Sequence, residues 1–171
     1  MFNTNFDEII EIFTRNNVDF IIVGGYAINF YGYVRNTSDL DLWVKSSEEN
    51  KYKICHSISE LRYSEKNIEK IKQIDFSKPF LFKIGKELDE VEVFNHITGV
   101  NYEEASKNKI LFYLNNETPI YFISIKDLIV NKMLTGRTKD KLDVEELQKI
   151  NLLSKDKAIA KLIKDFFKNK Q

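Results

Sequence analysis

The chain has 171 residues and a mass of 20.2 kDa, enough for one domain with a substantial core and too little for two full domains. With 43% apolar and 30% charged residues against only 6 Gly and 2 Pro, the composition excludes disordered, collagen-like and linker-rich classes. Twenty-six basic residues balance 26 acidic ones, so any nucleic-acid partner has to be held by a local patch rather than by the field of the whole molecule.

Only 4 of the basic residues are arginines (Arg15, Arg35, Arg62, Arg137), which makes each one worth locating. No uncharged apolar run approaches the ~20 residues a membrane span needs, and MFNTNFDEII has neither a basic n-region nor a small-residue cleavage site. These features predict a protein that stays where it is made and does not enter a membrane. The one cysteine, Cys55, cannot form an internal disulfide and has no neighbours at metal-ligand spacing; a reducing, cytoplasmic setting and a buried thiol are expected.

In chain order, Phe6, Ile9, Ile10 and Phe13 recur at helical spacing until Asn16-Asn17, and DFIIVGG then reads as a short strand closed by glycines. Tyr26 to Tyr31 reads as a short helix, DLDLWV (Asp39 to Val44) as an alternating strand, and residues 47 to 75 as mostly helical. PFLFKIG and VEVFNH form a hairpin across KELDE, and KILFYL and PIYFIS form another across Asn115-Asn116-Glu117-Thr118. Ser124-x-x-Asp127 has the form of a capping box and opens a helix to about Gly136, with further helices at about 140 to 149 and 155 to 168. The pattern predicts an α/β (α+β) fold with a mixed, mostly antiparallel sheet flanked by helices. Residues 1–123 form the core and residues 124–171 a helical section packed on it.

Asp39 and Asp41 lie two apart on a predicted strand, so both carboxylates point one way while Leu40, Leu42 and Val44 point into the core. Two like charges so close repel unless a cation sits between them, and oxygen ligands of this kind suit Mg²⁺; the alternative is a solvated strand face. Gly24-Gly25 ends one strand and opens a helix, where a phosphate can approach backbone N–H groups, although a GG pair can equally be a plain turn. The order strand, GG, short helix, carboxylate strand sets a phosphate cradle beside a metal site.

The stretch VGGYAINFYGYVRNTSDLDLWV resembles the signature of the nucleotidyltransferase superfamily related to DNA polymerase beta: an apolar strand, Gly-Gly or Gly-Ser, about ten residues, then Asp-x-Asp or Asp-x-Glu. GGYA, Arg35, Thr37 and DLDLWV, together with VEVFNHITGVNYEEA and ISIKDLIVNKMLTGRTKDKLDVEEL, resemble the small bacterial branch that includes abortive-infection type toxins. The resemblance implies a third carboxylate on a neighbouring strand. The matching position is Glu92, where members more often carry Asp, with Asp89 and Glu90 as alternatives. The longer arm shifts the carboxylate by about one C–C bond length, a displacement to which catalytic geometry is sensitive.

Lys132 falls within the stripe of Ile125, Leu128, Ile129 and Met133, and an inward lysine needs an anion or a wet cleft. Phosphate binding competes there with snorkelling and with an ion pair to Asp127 or Asp143. Arg35 and Arg137 suit bidentate phosphate contacts, or can clamp Asp140 or Asp143. His56 and His96 have no partners at triad or metal spacing and are read as incidental. Lys157, Lys161, Lys164 and Lys168 fall on one face of the last predicted helix, a solvated basic face.

The resemblance implies NMP transfer from an NTP to a hydroxyl, with two Mg²⁺ held by Asp39, Asp41 and Glu92, and phosphates bound by Gly24, Gly25, Arg35, Thr37, Lys132 and Arg137. A tRNA end, a protein or a small molecule is the acceptor, and a cognate antitoxin is a candidate partner. The competing expectation is a non-catalytic partner-binding protein on the same fold, motivated by the Glu in place of Asp.

Overall fold

A computed structural model describes residues 4–85, 90–115 and 117–153. The elements are α1 (Thr4–Arg15), β1 (Phe20–Ile22), α2 (Gly24–Phe30), β2 (Leu40–Val44), α3 (Glu48–Glu60), α4 (Glu65–Lys72), β3 (Leu81–Ile84), β4 (Val91–Phe94), α5 (Tyr102–Asn108), β5 (Ile110–Leu114), β6 (Thr118–Phe122), α6 (Ile125–Thr135) and α7 (Thr138–Leu153). The strands form one sheet in the order β3-β4-β2-β1-β6-β5. The pairs β1–β2, β3–β4 and β5–β6 are antiparallel, while β1–β6 and β2–β4 are parallel, so the sheet is mixed and mostly antiparallel as expected.

The apolar spacing of α1 works as read: Phe6, Ile9, Ile10 and Phe13 are all buried, each worth about 1.5–3 kcal/mol of transfer free energy. Asn17 ends the run in the left-handed region (φ 54°). Leu40, Leu42 and Val44 are fully buried, and the core runs without interruption from α1 through the sheet to Leu128, Ile129 and Leu147 of the last two helices. Cys55 is buried, and burial raises its thiol pKa. No helix among the described residues is long and apolar enough to cross a membrane.

Several boundaries differ from the sequence reading. The helical stretch 47 to 75 is two helices, because Arg62 takes a positive φ of 60° and the chain turns before Ser64 starts α4. Both glycines lie inside the first turn of α2 rather than ahead of it, β2 begins at Leu40 with Asp39 just before it, and α7 is longer than residues 140 to 149. Helix α5 was not foreseen: of its seven residues only Ala105 is buried, so it has no apolar period to read. Its signal was the cap, since the Asn101 side chain accepts from the Glu104 N–H. The predicted helix at 155 to 168, with its lysine face, and Asp89 lie outside the described residues.

Candidate active site

β1 is a short, wholly buried strand, and the chain leaves it through Val23 straight into the first turn of α2. Gly24 has φ +61°, and a Cβ there would lie 1.8 Å from Asp41 Oδ2; a Cβ on Gly25 would lie 2.3 Å from Thr37 Oγ1. Glycine is required at both places because the carboxylate and the hydroxyl occupy the space a side chain would take. The backbone of Gly25 in turn hydrogen-bonds the Asp41 carboxylate, and the Val23 N–H donates to the Asp41 carbonyl at 3.1 Å. The phosphate cradle and the carboxylate strand inferred from spacing are therefore one packed unit.

Parallel pairing of β2 with β4 sets Asp41 beside Glu92, and antiparallel pairing of β4 with β3 sets Glu92 beside Lys83. Alternation puts these three side chains in a row across one face, with Leu81, Phe94 and Trp43 as the next row along. An open cavity of about 960 Å³ lies over this face. Gly24, Gly25, Arg35, Thr37, Asp39, Asp41, Glu92, Lys132 and Arg137 all line it. All nine residues singled out from the sequence thus meet at one place.

Burial, then the negative charge of Glu92 and of Asp39, raise the Asp41 carboxyl pKa to about 6, against the pull of Lys132 and the Gly25 hydrogen bond. Asp39 accepts from the Ser38 hydroxyl at 3.1 Å. Glu92 Oε1 lies 3.1 Å from Lys83 Nζ, which also holds Glu90 at 2.7 Å. The donor set suits a hard cation in kind: three carboxylates on one cavity, one of them held protonated to unusually high pH by burial and by the other two. It is not drawn together as a cage, and no three Asp, Glu, His or Cys side chains among the described residues are grouped to hold a metal ion.

Lys132 is only 3% exposed, as its inward position on the stripe required, whereas Met133 is 58% exposed and does not belong to that stripe. The buried face of α6 is narrow, so Leu128, Ile129 and Lys132 complete it. The Lys132 ammonium lies 3.0 Å from Asp140 Oδ1 and 3.3 Å from Asp143 Oδ2. The ion-pair alternative is realised, with Asp140 added and Asp127 excluded: Asp127 instead accepts from Ser124, the cap of α6. Arg137 Nε lies 2.9 Å from Asp140 Oδ2 and Arg35 Nε 3.5 Å from Asp143 Oδ1, so both arginines also take the clamp alternative. The backbone of Arg35 is fixed by a reciprocal pair of hydrogen bonds with the Asn29 side chain. Burial alone would raise the Asp140 carboxyl, but Arg137, Lys132 and the Thr135 hydroxyl outweigh it and hold it well below the usual range.

A family model described as nucleotidyltransferase of unknown function (DUF6036) matches residues 2–169. The chain belongs to that family. No curated protein matches it. This nucleotidyltransferase carries three site features that residue spacing did not bring forward. Lys83 lies on a hairpin strand whose cross-strand partner cannot be known before the register is. Asp140 and Asp143 stood in the sequence only as possible ion-pair partners, both of them for the two arginines and Asp143 also for Lys132, yet their i, i+3 spacing on a helix was a legible sign of one shared face. His96, read as incidental, lines the same cavity. His56 lies outside it, 3.4 Å from the exposed side of Glu60.

Proposed function

We propose that this nucleotidyltransferase moves an NMP from an NTP to a hydroxyl acceptor with Mg²⁺. The observation that carries the reading is the contact of Gly24-Gly25 with Asp41 inside a cavity that also receives Glu92. It sets the backbone at the start of α2, where a phosphate can approach, against the carboxylate row. Asp39 and Asp41, with Glu92 from the adjacent strand, are the proposed ligands of two Mg²⁺, which when bound neutralise the triphosphate and lower the pKa of the acceptor hydroxyl.

In this scheme the acceptor oxygen attacks the α-phosphorus, the bond from that phosphorus to the bridging oxygen breaks, and pyrophosphate leaves. Glu92, on the strand beside Asp41, takes the hydroxyl proton once Lys83 has released it. Backbone at Gly24-Gly25 and the Thr37 hydroxyl face the phosphates. Arg35 and Arg137 reach them with the donors their aspartates leave free, while Lys132 acts by lending positive charge to this side of the cavity. A tRNA end or a protein hydroxyl is the proposed acceptor, in keeping with the toxin-like resemblance, and a cognate antitoxin the proposed regulator.

Incubation with each labelled NTP, Mg²⁺ and a cell extract tests the reading. Label should pass to a discrete acceptor and disappear with Asp41→Asn; no transfer from any NTP would remove it. The hold of Lys83 on Glu92 favours a second reading, a partner-binding protein on the same fold, and this predicts thermal stabilisation by a protein partner and indifference to nucleotide.

A further inference from the structure

The row Lys83–Glu92–Asp41 crosses three neighbouring strands, and its two acidic members differ sharply in how they are neutralised. Asp41 is packed against Gly24 and has no ion-pair partner among the described residues. Glu92 is held by Lys83, whose ammonium bridges it to Glu90 at 3.1 and 2.7 Å. We propose that Lys83 is a tethered stand-in for a divalent cation at the third carboxylate, a positioning residue that holds Glu92 and must release it before the carboxylates share a metal ion.

This inference rests on the metal reading above and adds a residue to it. Three observations support it. The cross-strand register makes Lys83 the direct neighbour of Glu92, so the pairing is fixed by the sheet rather than by a chance rotamer. Lys83 is about half exposed, so its flexible stem can swing into water at little cost. Its second anchor, Glu90, keeps the ammonium near the site while Glu92 turns to another cation. A doubly charged ion arriving at Asp41 attracts Glu92 more strongly than the ammonium does and repels the ammonium itself, so cation and lysine compete for one carboxylate. The affinity of the site is then set by that competition as well as by its ligands.

Mn²⁺ titration of the full chain, followed by electron paramagnetic resonance, reads this without any turnover. Lys83→Met should bind Mn²⁺ about three- to tenfold more tightly than the wild type, and Lys83→Arg should return to wild-type affinity. The apo Lys83→Met protein should melt lower, with Mn²⁺ restoring it; Lys83→Gln, which keeps a polar head, guards against a general packing effect. Equal or weaker Mn²⁺ binding in Lys83→Met, with binding lost in Asp41→Asn, would overturn the role of Lys83 and leave the metal reading standing. Absence of Mn²⁺ binding in both wild type and Lys83→Met, or binding untouched by Asp41→Asn, would bring down the metal reading and this inference together.

Discussion

The two walls of the cavity carry charge in opposite conditions. On the α6–α7 side, Lys132, Arg35 and Arg137 face Asp140 and Asp143 in a knot whose centre is buried, each aspartate touching two cations. On the sheet side, Asp39 and Asp41 have no ion-pair partner among the described residues, and Glu92 has a lysine that is half in water. A buried charge without a partner is costly, so the first wall has to be self-sufficient, whereas an open wall can leave its charge for a ligand. Residue type alone therefore does not mark a ligand site. The cations that looked like phosphate ligands are largely occupied, whereas Asp39 and Asp41 have no ion-pair partner among the described residues.

Breaking the knot should have the largest effect. Lys132→Met leaves Asp140 and Asp143 facing an apolar stem and is expected to cost about 3–5 kcal/mol in denaturant unfolding, with NTP affinity by calorimetry changed far less. Lost affinity at unchanged stability would place Lys132 among the ligand-facing groups and erase the contrast. Gly24→Ala is next. The positive φ costs about 1–2 kcal/mol, and the new Cβ displaces the Asp41 carboxylate, so stabilisation by Mg²⁺ plus NTP should vanish at a modest loss of melting temperature. An alanine variant that still responds to nucleotide would show that the close approach of turn and carboxylate is incidental.

Asp41→Asn should have the smallest effect on the apo protein and an unusual sign, raising stability near neutral pH by on the order of 1 kcal/mol because a carboxylate disfavoured by burial and by its acidic neighbours is removed. The two walls also respond oppositely to acid. Asp140 has a lowered pKa, so its contribution is present above the ordinary carboxylate value of 3.8 and is lost as pH falls through the folded value. Asp41 is raised to about 6, so its contribution is full below 3.8 and is lost as pH rises through about 6. Melting curves from pH 4 to 7 should show that loss in the wild type and not in Asp41→Asn; identical slopes would remove the electrostatic account of the sheet wall.

The local parts of this architecture were readable. Strand, Gly-Gly, short helix and carboxylate strand follow one another within 25 residues, and the Ser124 cap announces α6 by itself. The position of Glu92 came from resemblance, and the β2–β4 register places it beside Asp41. What could not be read depends on contacts between distant segments. No spacing tells that β4 pairs with β2 in parallel, hence none tells that Lys83 meets Glu92. Lys132 shows the limit well: periodicity established that it faces inward, but the choice among phosphate, Asp127 and Asp143 waited on the angle at which α7 returns. Met133 was misplaced because a helix that buries only a narrow face does not use every apolar residue near the stripe.

The sequence has a single tryptophan, and it sits on β2 two residues beyond Asp41. Trp43 is 1% exposed, is paired with Ile21 of β1 and Phe94 of β4, and meets Tyr102 edge-on with ring centres 5.0 Å apart. Its emission therefore reports the docking of the central strands that bring Asp41 and Glu92 together from remote parts of the chain. The β2–β4 pairing closes a long loop and is the kind of contact that forms late in folding. Intrinsic fluorescence, with no added label, should thus follow the assembly of the carboxylate row itself, and its slowest refolding phase should coincide with the recovery of Mn²⁺ binding.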